Sequence, residues 1–163
     1  QNLPFAAPMP FFSGAQYELP GPTGERNVYR VLPREAVLCL AEDEAELLAQ
    51  LAAVLAVGSR AVWLEDKASA TALHRRLPPA VQQHVVLAET FAAAQFDAVL
   101  HHGGEAELRR VLADLAVRPG QIVGVTARQP GDNTIPLERL VIERVTSVNT
   151  AAAGGNASLM TMQ

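Results

Sequence analysis

Short apolar runs that alternate with amphipathic segments constrain this fold more than any other feature of the chain. The first run, residues 36–41, is continuously apolar, as expected for a strand that is covered on both faces of a parallel sheet. Similar runs follow at 60–64, 84–88, 96–101 and 121–126. Because strands that alternate with helices form parallel sheets with right-handed crossovers, the sequence predicts an α/β fold with a five-stranded parallel sheet and flanking helices.

The helices between these strands have recognisable ends. Asp43 is a favourable N-cap, Glu46 three residues later would complete a capping box, and Gly58 would end the first helix. A second helix is predicted over residues 68–77. Apolar residues recur at helical spacing in the first helix, where Leu51 and Leu55 should face the sheet, and in the last helix, which should be amphipathic. They are Leu47, Leu48, Leu51, Val54 and Leu55 in the first helix, and Leu108, Val111, Leu112 and Leu115 in the last.

Two segments lie outside this alternation and complete the predicted domain organisation. Residues 28–32 and 142–149 alternate apolar and polar side chains, so we expect them to pair as a two-stranded β-flap that projects from the Rossmann-like domain, residues 25–141. Residues 1–24 are rich in proline and glycine with aromatic residues between them, which predicts an arm or linker laid against a surface. Residues 142–163 form the second flap strand and an extended C-terminal tail.

The tail offers little that this chain itself could bury. Gly154 and Gly155 form a flexible break, and the first large apolar residues after them are Leu159 and Met160. Such a terminus either stays disordered or gains order by lying along another surface, with main-chain hydrogen bonds supplying the affinity.

Composition excludes several classes of function. The net charge is −4, which argues against a nucleic-acid-binding surface. No apolar run approaches the roughly 20 residues of a membrane-spanning helix. The single cysteine, Cys39, permits no internal disulfide and suits a reducing compartment, so we expect a cytoplasmic protein. A chain that starts at Gln1 is expected to be an excised piece or a processed product.

Residues capable of catalysis or metal binding are poorly placed. Cys39 lies inside an apolar strand, where a thiol is a weak nucleophile. His101 and His102 are adjacent on a strand, so their rings point to opposite faces and cannot bind one ion. His74 and His84 have no partners at metal-ligand spacing. We therefore predict no catalytic residue and no metal site in this chain.

A parallel sheet of this kind invites a dinucleotide at the carboxyl ends of its strands. The first turn, however, contains Glu42, Asp43 and Glu44 in place of a glycine-rich loop, and these carboxylates would repel a pyrophosphate. The Gly103–Gly104 pair is more simply explained as a turn. We predict no cofactor-binding residue in this chain.

Four stretches resemble one domain of a known family. They are Leu137–Arg144, Ser147–Met160, Gly21–Asn27 and Leu51–Gly58, and the similarity covers about residues 19 to 163. They resemble the C-terminal domain of the longer bacterial proline utilization A flavoenzymes. Those enzymes join a proline dehydrogenase, which uses FAD, to an L-glutamate-γ-semialdehyde (1-pyrroline-5-carboxylate) dehydrogenase, which uses NAD.

This resemblance implies a noncatalytic accessory domain of a bifunctional proline catabolic enzyme. The domain would cover the cavity through which the intermediate passes and would support the aldehyde dehydrogenase site of the same polypeptide through its C-terminal motif. FAD and NAD would be bound by the parent protein, which could also associate peripherally with a membrane. The residues expected to make the interdomain contact are Ser147, Val148, Asn149, Thr150, Gly154, Gly155, Asn156, Leu159 and Met160.

The segment from Gly24 to Gly58 is also similar to the start of the cofactor domain in the proline-pathway aldehyde dehydrogenases themselves. There, an aromatic-Asn-Phe-Pro stretch follows the first strand, and a Lys-Pro pair after the second strand holds the adenosine ribose. In this chain residues 42–45 replace the first stretch, the lysine position falls near Leu64, and Lys67 is displaced. The resemblance implies a copy of the fold without its cofactor site.

Two alternative functions stay open at this point. One is a working NAD-binding domain. The other is an oligomerisation module that forms a homodimer through the β-flap, because the flap of the aldehyde dehydrogenase superfamily mediates subunit contacts.

Overall fold

The structure is a computed structural model that describes residues 14–22 and 24–149. Strands and helices follow one another along this part of the chain. They are β1 Gln16–Leu19, β2 Glu25–Pro33, β3 Ala36–Leu40, α1 Glu44–Ala56, β4 Arg60–Leu64, α2 Ala68–Arg76, α3 Pro79–Gln82, β5 Val85–Ala88, β6 Ala98–His102, α4 Glu105–Ala116, β7 Gly124–Arg128, a 3₁₀ helix Leu137–Leu140, and β8 Val141–Asn149.

A five-stranded parallel sheet with the order β5-β4-β3-β6-β7 forms the body of the molecule and confirms the predicted fold class. The chain moves outward from β3 through β4 to β5, and then returns to the opposite side of β3 with β6 and β7. The strand order therefore reverses between β3 and β6. In open α/β sheets, the carboxyl ends of the strands at such a switch point are the usual place for a ligand.

Each face of the parallel sheet has its own apolar core, since successive residues of a strand point to opposite faces. On one face, α1 and α2 cover the sheet, and Leu51 and Trp63 are completely buried there. The burial of Leu51 confirms that it faces the sheet. On the other face, Leu38, Val62 and Val99 pack under residues 91–96 and α4.

The ends of α1 show which local signals operate in the folded chain. Asp43 is the N-cap, and its carboxylate accepts hydrogen bonds from the backbone N–H groups of Ala45, at 2.8 Å, and Glu46, at 3.2 Å. At the other end, Gly58 has a positive φ of 84° and donates its N–H to the Leu55 carbonyl, as expected for a helix stop.

The second half of the predicted capping box is wrong. The Glu46 carboxylate accepts a hydrogen bond from the backbone N–H of Gly131, at 2.8 Å, and none from the backbone of its own N-cap. Glu46 is buried on the side of α1 that meets the loop after β7. A long-range partner has therefore replaced the local one.

The flap has three strands, in the order β1-β2-β8, and corrects the prediction of two. The extra strand, β1, lies inside the segment predicted as an arm, and it pairs with β2 from Gln16 opposite Arg30 to Leu19 opposite Asn27. Proline density on both sides obscured this short alternating stretch in the sequence. On its other side, β2 pairs with β8 along the whole length of both strands.

Smaller differences concern the boundaries of elements in the body. The sequence did not predict the short helix α3, and β7 begins later than expected, at Gly124. Strand β6 begins at Ala98, two residues later than expected, and just before it the Asp97 carboxylate accepts the backbone N–H groups of Glu35, at 3.3 Å, and Ala36, at 3.2 Å. Among the described residues, none of the helices has the length and apolar character needed to cross a membrane.

Candidate functional site

A crevice of about 340 Å³ lies at the switch point, between the carboxyl ends of β3 and β6 and the start of α4. Leu40 and Leu64 contribute apolar walls, while Glu42, Lys67 and Glu107 contribute charged ones. Because a dinucleotide would occupy this position in a cofactor-binding sheet, the chemistry of the crevice determines what the domain can hold.

The N-terminus of α1, which would face a bound pyrophosphate, is already occupied by groups of this chain. Asp43 takes the N–H groups of Ala45 and Glu46. Glu42 forms an ion pair with Lys67, and Glu44 forms one with Arg76. A pyrophosphate needs unoccupied N–H groups at a helix N-terminus, so this arrangement argues against dinucleotide binding there.

The end of β4 supplies no replacement for the ribose-binding lysine. Leu64 is 6% exposed and packs into the second core, and a leucine cannot donate a hydrogen bond to a ribose hydroxyl. Lys67 is directed to Glu42, and this hydrogen bond is the main reason why the pKa of Lys67 is raised. The displaced lysine therefore serves an ion pair inside the domain.

The Gly103–Gly104 turn has a structural explanation of its own. A Cβ atom on Gly103 would lie 2.6 Å from the Glu107 carboxylate and 2.9 Å from the His101 ring, so a larger residue here would require both side chains to shift. Gly104 is the N-cap of α4, whose first turn carries Glu105 and Glu107. Two carboxylates beside this helix N-terminus would repel a phosphate, as at α1.

The adjacent histidines lie on opposite faces of β6, as predicted. His102 faces α1, where its Nδ1 accepts a hydrogen bond from the Gln50 side-chain amide, at 2.8 Å, and its Nε2 donates to the Asp132 carbonyl, at 2.8 Å. Gln50 also donates to the Leu40 carbonyl, at 3.1 Å. His101 faces α4, and burial lowers its pKa, which favours the neutral ring. Within residues 14–22 and 24–149, no group of three or more His, Cys, Asp or Glu side chains could hold a metal ion.

Cys39 is buried beside Trp63 in the core under α1. Burial raises the pKa of its thiol to about 12. Since the thiolate is the reactive form, this cysteine is a poor nucleophile at neutral pH.

Three of the predicted interdomain residues lie at the end of β8. Ser147 donates its hydroxyl to the Asn27 side chain, Val148 is half exposed, and Asn149 is paired with Glu25 across the flap. The structure thus brings these residues to the tip of the flap. The remaining ones, Thr150, Gly154, Gly155, Asn156, Leu159 and Met160, lie outside the described residues.

The flap has an apolar face that was not predicted from the sequence. Tyr17, Tyr29 and Val145 lie in one cross-strand row, and Leu19 lies on the same face in the next row. Tyr17 is 58% exposed and Val145 is 56% exposed. The alternation of polar and apolar residues at 16–19 was the available signal for this surface.

A second cleft, of about 480 Å³, lies at the opposite, amino edge of the parallel sheet and was also missed. It runs between the starts of β3, β4 and β6, the loop before β7, and the first residues of β8. We call it the amino-edge cleft, and its main apolar residues are Phe96, Pro119, Ile122, Val123 and Ile142.

Comparison of the sequence with known proteins identifies relatives over most of the chain. It is 57% identical over 152 residues to the bifunctional protein PutA of Salmonella typhimurium, covering 92% of this chain and 11% of that protein. It is 54% identical over 156 residues to PutA of Escherichia coli K12, with the same two shares of 92% and 11%. PutA of Rhizobium meliloti is 38% identical over 153 residues, covering 90% of this chain and 12% of that protein. No protein-family model matches the chain.

Solved structures with a similar fold include proline utilization A and aldehyde dehydrogenases. A mutant of Bradyrhizobium japonicum PutA aligns with 71% of this chain and 14% of its own, at 22% identity and a TM-score of 0.52. A NAD-dependent benzaldehyde dehydrogenase from Corynebacterium glutamicum aligns with 72% of this chain and 29% of its own, at 16% identity and a TM-score of 0.50. At these identities the structures support the fold alone. The sequence identities show more: the chain belongs to the PutA family of bifunctional proteins, as a segment about one ninth of their length.

Proposed function

We propose that the chain is a noncatalytic accessory domain of a PutA-type bifunctional enzyme that converts proline to glutamate. In that protein it would contact the aldehyde dehydrogenase domain of the same polypeptide, and the parent would bind FAD and NAD elsewhere. The observation that carries the noncatalytic part is the occupied N-terminus of α1, where Asp43 takes the N–H groups that a pyrophosphate would need.

The remaining chemistry of the crevice supports the same conclusion. Leu64 stands where a ribose-binding lysine would be expected, and Lys67 is engaged by Glu42. Cys39, the single cysteine of the chain, has a buried thiol with a raised pKa. The fold of a dehydrogenase cofactor domain is present, but the groups that would hold and use the cofactor are not in place.

Calorimetric titration of the chain with NAD tests this proposal. We expect no binding with a Kd below about 1 mM, which corresponds to about −4 kcal/mol. A functional NAD-dependent aldehyde dehydrogenase, titrated in parallel, serves as the positive control. Tighter binding to this chain would refute the noncatalytic assignment and favour a working NAD-binding domain.

The role in the parent protein concerns the C-terminal motif. We propose that the domain covers the cavity through which the semialdehyde passes, and that the motif beginning at Ser147 supports the aldehyde dehydrogenase site. The position of Ser147, Val148 and Asn149 at the tip of the flap supports this, because β8 ends there and Val148 is half exposed.

Truncation of the parent protein after Asn149 tests that role. We expect semialdehyde oxidation to fall severely, while proline oxidation is preserved. Removal of residues 161–163 alone is the matched control and should preserve both activities. Survival of both activities in the longer truncation would make the tail a passive terminus, and loss of both together would indicate a general folding role.

Oligomerisation is a second candidate function, favoured by the exposed apolar face of the flap. Sedimentation of the 163-residue chain over a range of concentrations tests it. A mass that rises with concentration, and that returns to the monomer value when Val145 is replaced by Asp, would support a flap-mediated homodimer. A constant monomer mass would exclude one in the isolated chain.

A further inference from the structure

The crevice at the switch point is unsuited to a pyrophosphate, yet it contains a buried histidine without a partner. His101 lines the crevice and is only 3% exposed, and its ring forms no hydrogen bond with the described part of the chain. The neighbouring His102, by contrast, uses both of its ring nitrogens. Because buried polar side chains are nearly always hydrogen-bonded, an unpaired imidazole in the wall of a crevice indicates that a ligand supplies the missing partner.

The Glu107 carboxylate is a neighbour of this ring. Both Glu107 Oε2 and His101 Nε2 lie close to the position that a Cβ on Gly103 would occupy, at 2.6 Å and 3.1 Å. Burial lowers the pKa of His101, so the ring is neutral and can offer an unprotonated nitrogen as an acceptor. A carboxylate is an acceptor as well, and these two groups together therefore suit a ligand that donates hydrogen bonds and carries a positive charge.

The charges around the crevice favour a cation. Its charged lining consists of four carboxylates and two cations, which are Glu42, Asp66, Glu107, Asp114, Lys67 and Arg110. Glu42 is paired with Lys67, whereas the other three carboxylates form no ion pair within residues 14–22 and 24–149. The pKa of Lys67 is raised first by its hydrogen bond with Glu42, and the charges of Asp66 and Glu107 raise it as well. The field inside the crevice therefore stabilises positive charge.

The spacing of the carboxylates on α4 narrows the shape of the ligand. Glu107, Val111 and Asp114 stand at positions i, i+4 and i+7, which share one face of a helix, and all three line the crevice. Two turns, about 10 Å along the helix axis, separate the two carboxylates. Val111 lies between them, and Leu40 and Phe91 add further apolar surface. The crevice thus presents an apolar strip with a carboxylate at each end.

We propose that this crevice binds a linear aliphatic polyamine, with one ammonium group between Glu107 and His101 and another at Asp114. The methylene chain between them contacts Val111 and Phe91, and the crevice volume of about 340 Å³ is sufficient for such a chain. A polyamine has no phosphate for the acidic helix N-termini to repel. The inference goes beyond the proposed function and does not depend on it, because the crevice belongs entirely to this chain.

Titration of the isotope-labelled 163-residue chain with 1,7-diaminoheptane, followed by NMR, tests the proposal. We expect saturable shifts of the amide signals of residues 101–102 and 107–114, with a Kd below about 1 mM. Heptylamine, which has the same chain length and a single ammonium group, is the matched ligand and should bind at least about tenfold more weakly. Equal affinities for the two amines, or the absence of saturation, would overturn the proposal.

Three variants of α4 locate the two ends of the site. Asp114→Asn should remove the difference between the two amines, because the second carboxylate is lost. Glu107→Gln should weaken both amines at least about tenfold. Glu105→Gln makes the same change of charge outside the crevice, where Glu105 pairs with Arg109, and it should change neither Kd by more than about twofold. An equal loss in this control would show unspecific attraction to an acidic surface and would overturn the proposal.

The role of the histidine has its own test. His101→Phe retains a ring of similar size and removes both nitrogens, so it should weaken both amines while Asp114 continues to favour the diamine. Unchanged affinities would exclude His101 from the site and overturn the proposal. The unfolding temperature shows whether this variant is folded, and Glu107→Gln tests the same end of the site if it is not.

Discussion

The parallel sheet buries the side chains on both of its faces, whereas the flap leaves apolar side chains exposed on both of its faces. In β3, the neighbouring residues Val37 and Leu38 point to opposite faces of the sheet, and both are completely buried. In β8, Val145 and Val148 also point to opposite faces, yet they are 56% and 50% exposed. The body is therefore stabilised by its own two cores, whereas the flap presents two partly apolar faces that only another surface can cover.

The largest expected effect comes from the core of the body. Leu51→Ala should lower the free energy of unfolding by about 2–5 kcal/mol, because Leu51 is completely buried and its truncation leaves a cavity under the sheet. The matched change in the flap, Val145→Ala, should alter it by no more than about 0.5 kcal/mol, because that side chain is largely in solvent. Urea unfolding of both variants measures the contrast, and equal losses would show that the flap shares the core of the body.

A smaller loss in the free energy of unfolding is expected when the hydrogen bonds of His102 to α1 and to the loop after β7 are removed. His102→Leu should cost about 1–3 kcal/mol, because the Gln50 amide and the Asp132 carbonyl each lose a buried partner. Adding Gln50→Leu should cost less than the sum of the two single changes, since the two side chains bond each other. Strict additivity in urea unfolding would contradict the contact.

The N-cap of α1 is expected to contribute less to the free energy of unfolding than the His102 hydrogen bonds do. Asp43→Ala should cost about 1 kcal/mol, because the N–H groups of Ala45 and Glu46 lose their acceptor. Asp43→Ser is the matched control, as serine is also a good N-cap, and it should retain most of the stability. If alanine and serine behave alike in thermal unfolding, the cap adds nothing to the stability of the body.

The free energy of unfolding of the body should also decrease in mild acid. Burial lowers the pKa of His101 below its ordinary value of 6.5, so the unfolded chain takes up a proton at a higher pH than the folded chain does. Stability from this group is complete above about 6.5 and is lost as the pH falls below that value. His101→Asn should flatten this part of the pH profile, measured by urea unfolding at a series of pH values, and an unchanged profile would contradict the shift.

The flap should show the opposite dependence, at alkaline pH and with the smallest effect. Burial, followed by the hydrogen bond with Glu143, raises the pKa of Tyr29 above 10.0. Its contribution is therefore complete below that value and is lost as the pH rises through the folded pKa. Absorbance titration of the phenolate, compared between the native chain and Tyr29→Phe, measures the shift. An ordinary pKa at Tyr29 would show that the flap does not hold this contact.

The features that the sequence predicted are those that depend on neighbouring residues. The apolar run of β3, the Asp43 cap and the Gly58 stop are local signals, and each was found where it was expected. Glu46 was misread because its actual partner, Gly131, is 85 residues away. Strand β1 was missed because it depends on pairing with β2, and its own four residues are fully compatible with an arm.

The same distinction between local and long-range features applies to the two clefts. The acidic first turn of α1 and the leucine at the end of β4 were visible in the sequence, and the structure adds that Lys67 and Arg76 hold the carboxylates in place. The amino-edge cleft has no sequence signature, because its residues come from separate strand starts that only the folded sheet brings together. The chemistry of neighbouring residues could thus be predicted from the sequence, whereas a surface assembled from distant segments could not.

The pairing of β2 with β8 has a consequence for how the chain is made. Asn27 and Ser147, which bond across this pair, are 120 residues apart in the sequence. During synthesis, β2 therefore emerges long before β8, and one of its edges has only solvent or another chain to pair with until residues 141–149 leave the ribosome. Strand β1, synthesised immediately before β2, covers the middle of the other edge early, opposite residues 27–30, and so reduces the backbone open to misassembly in that interval.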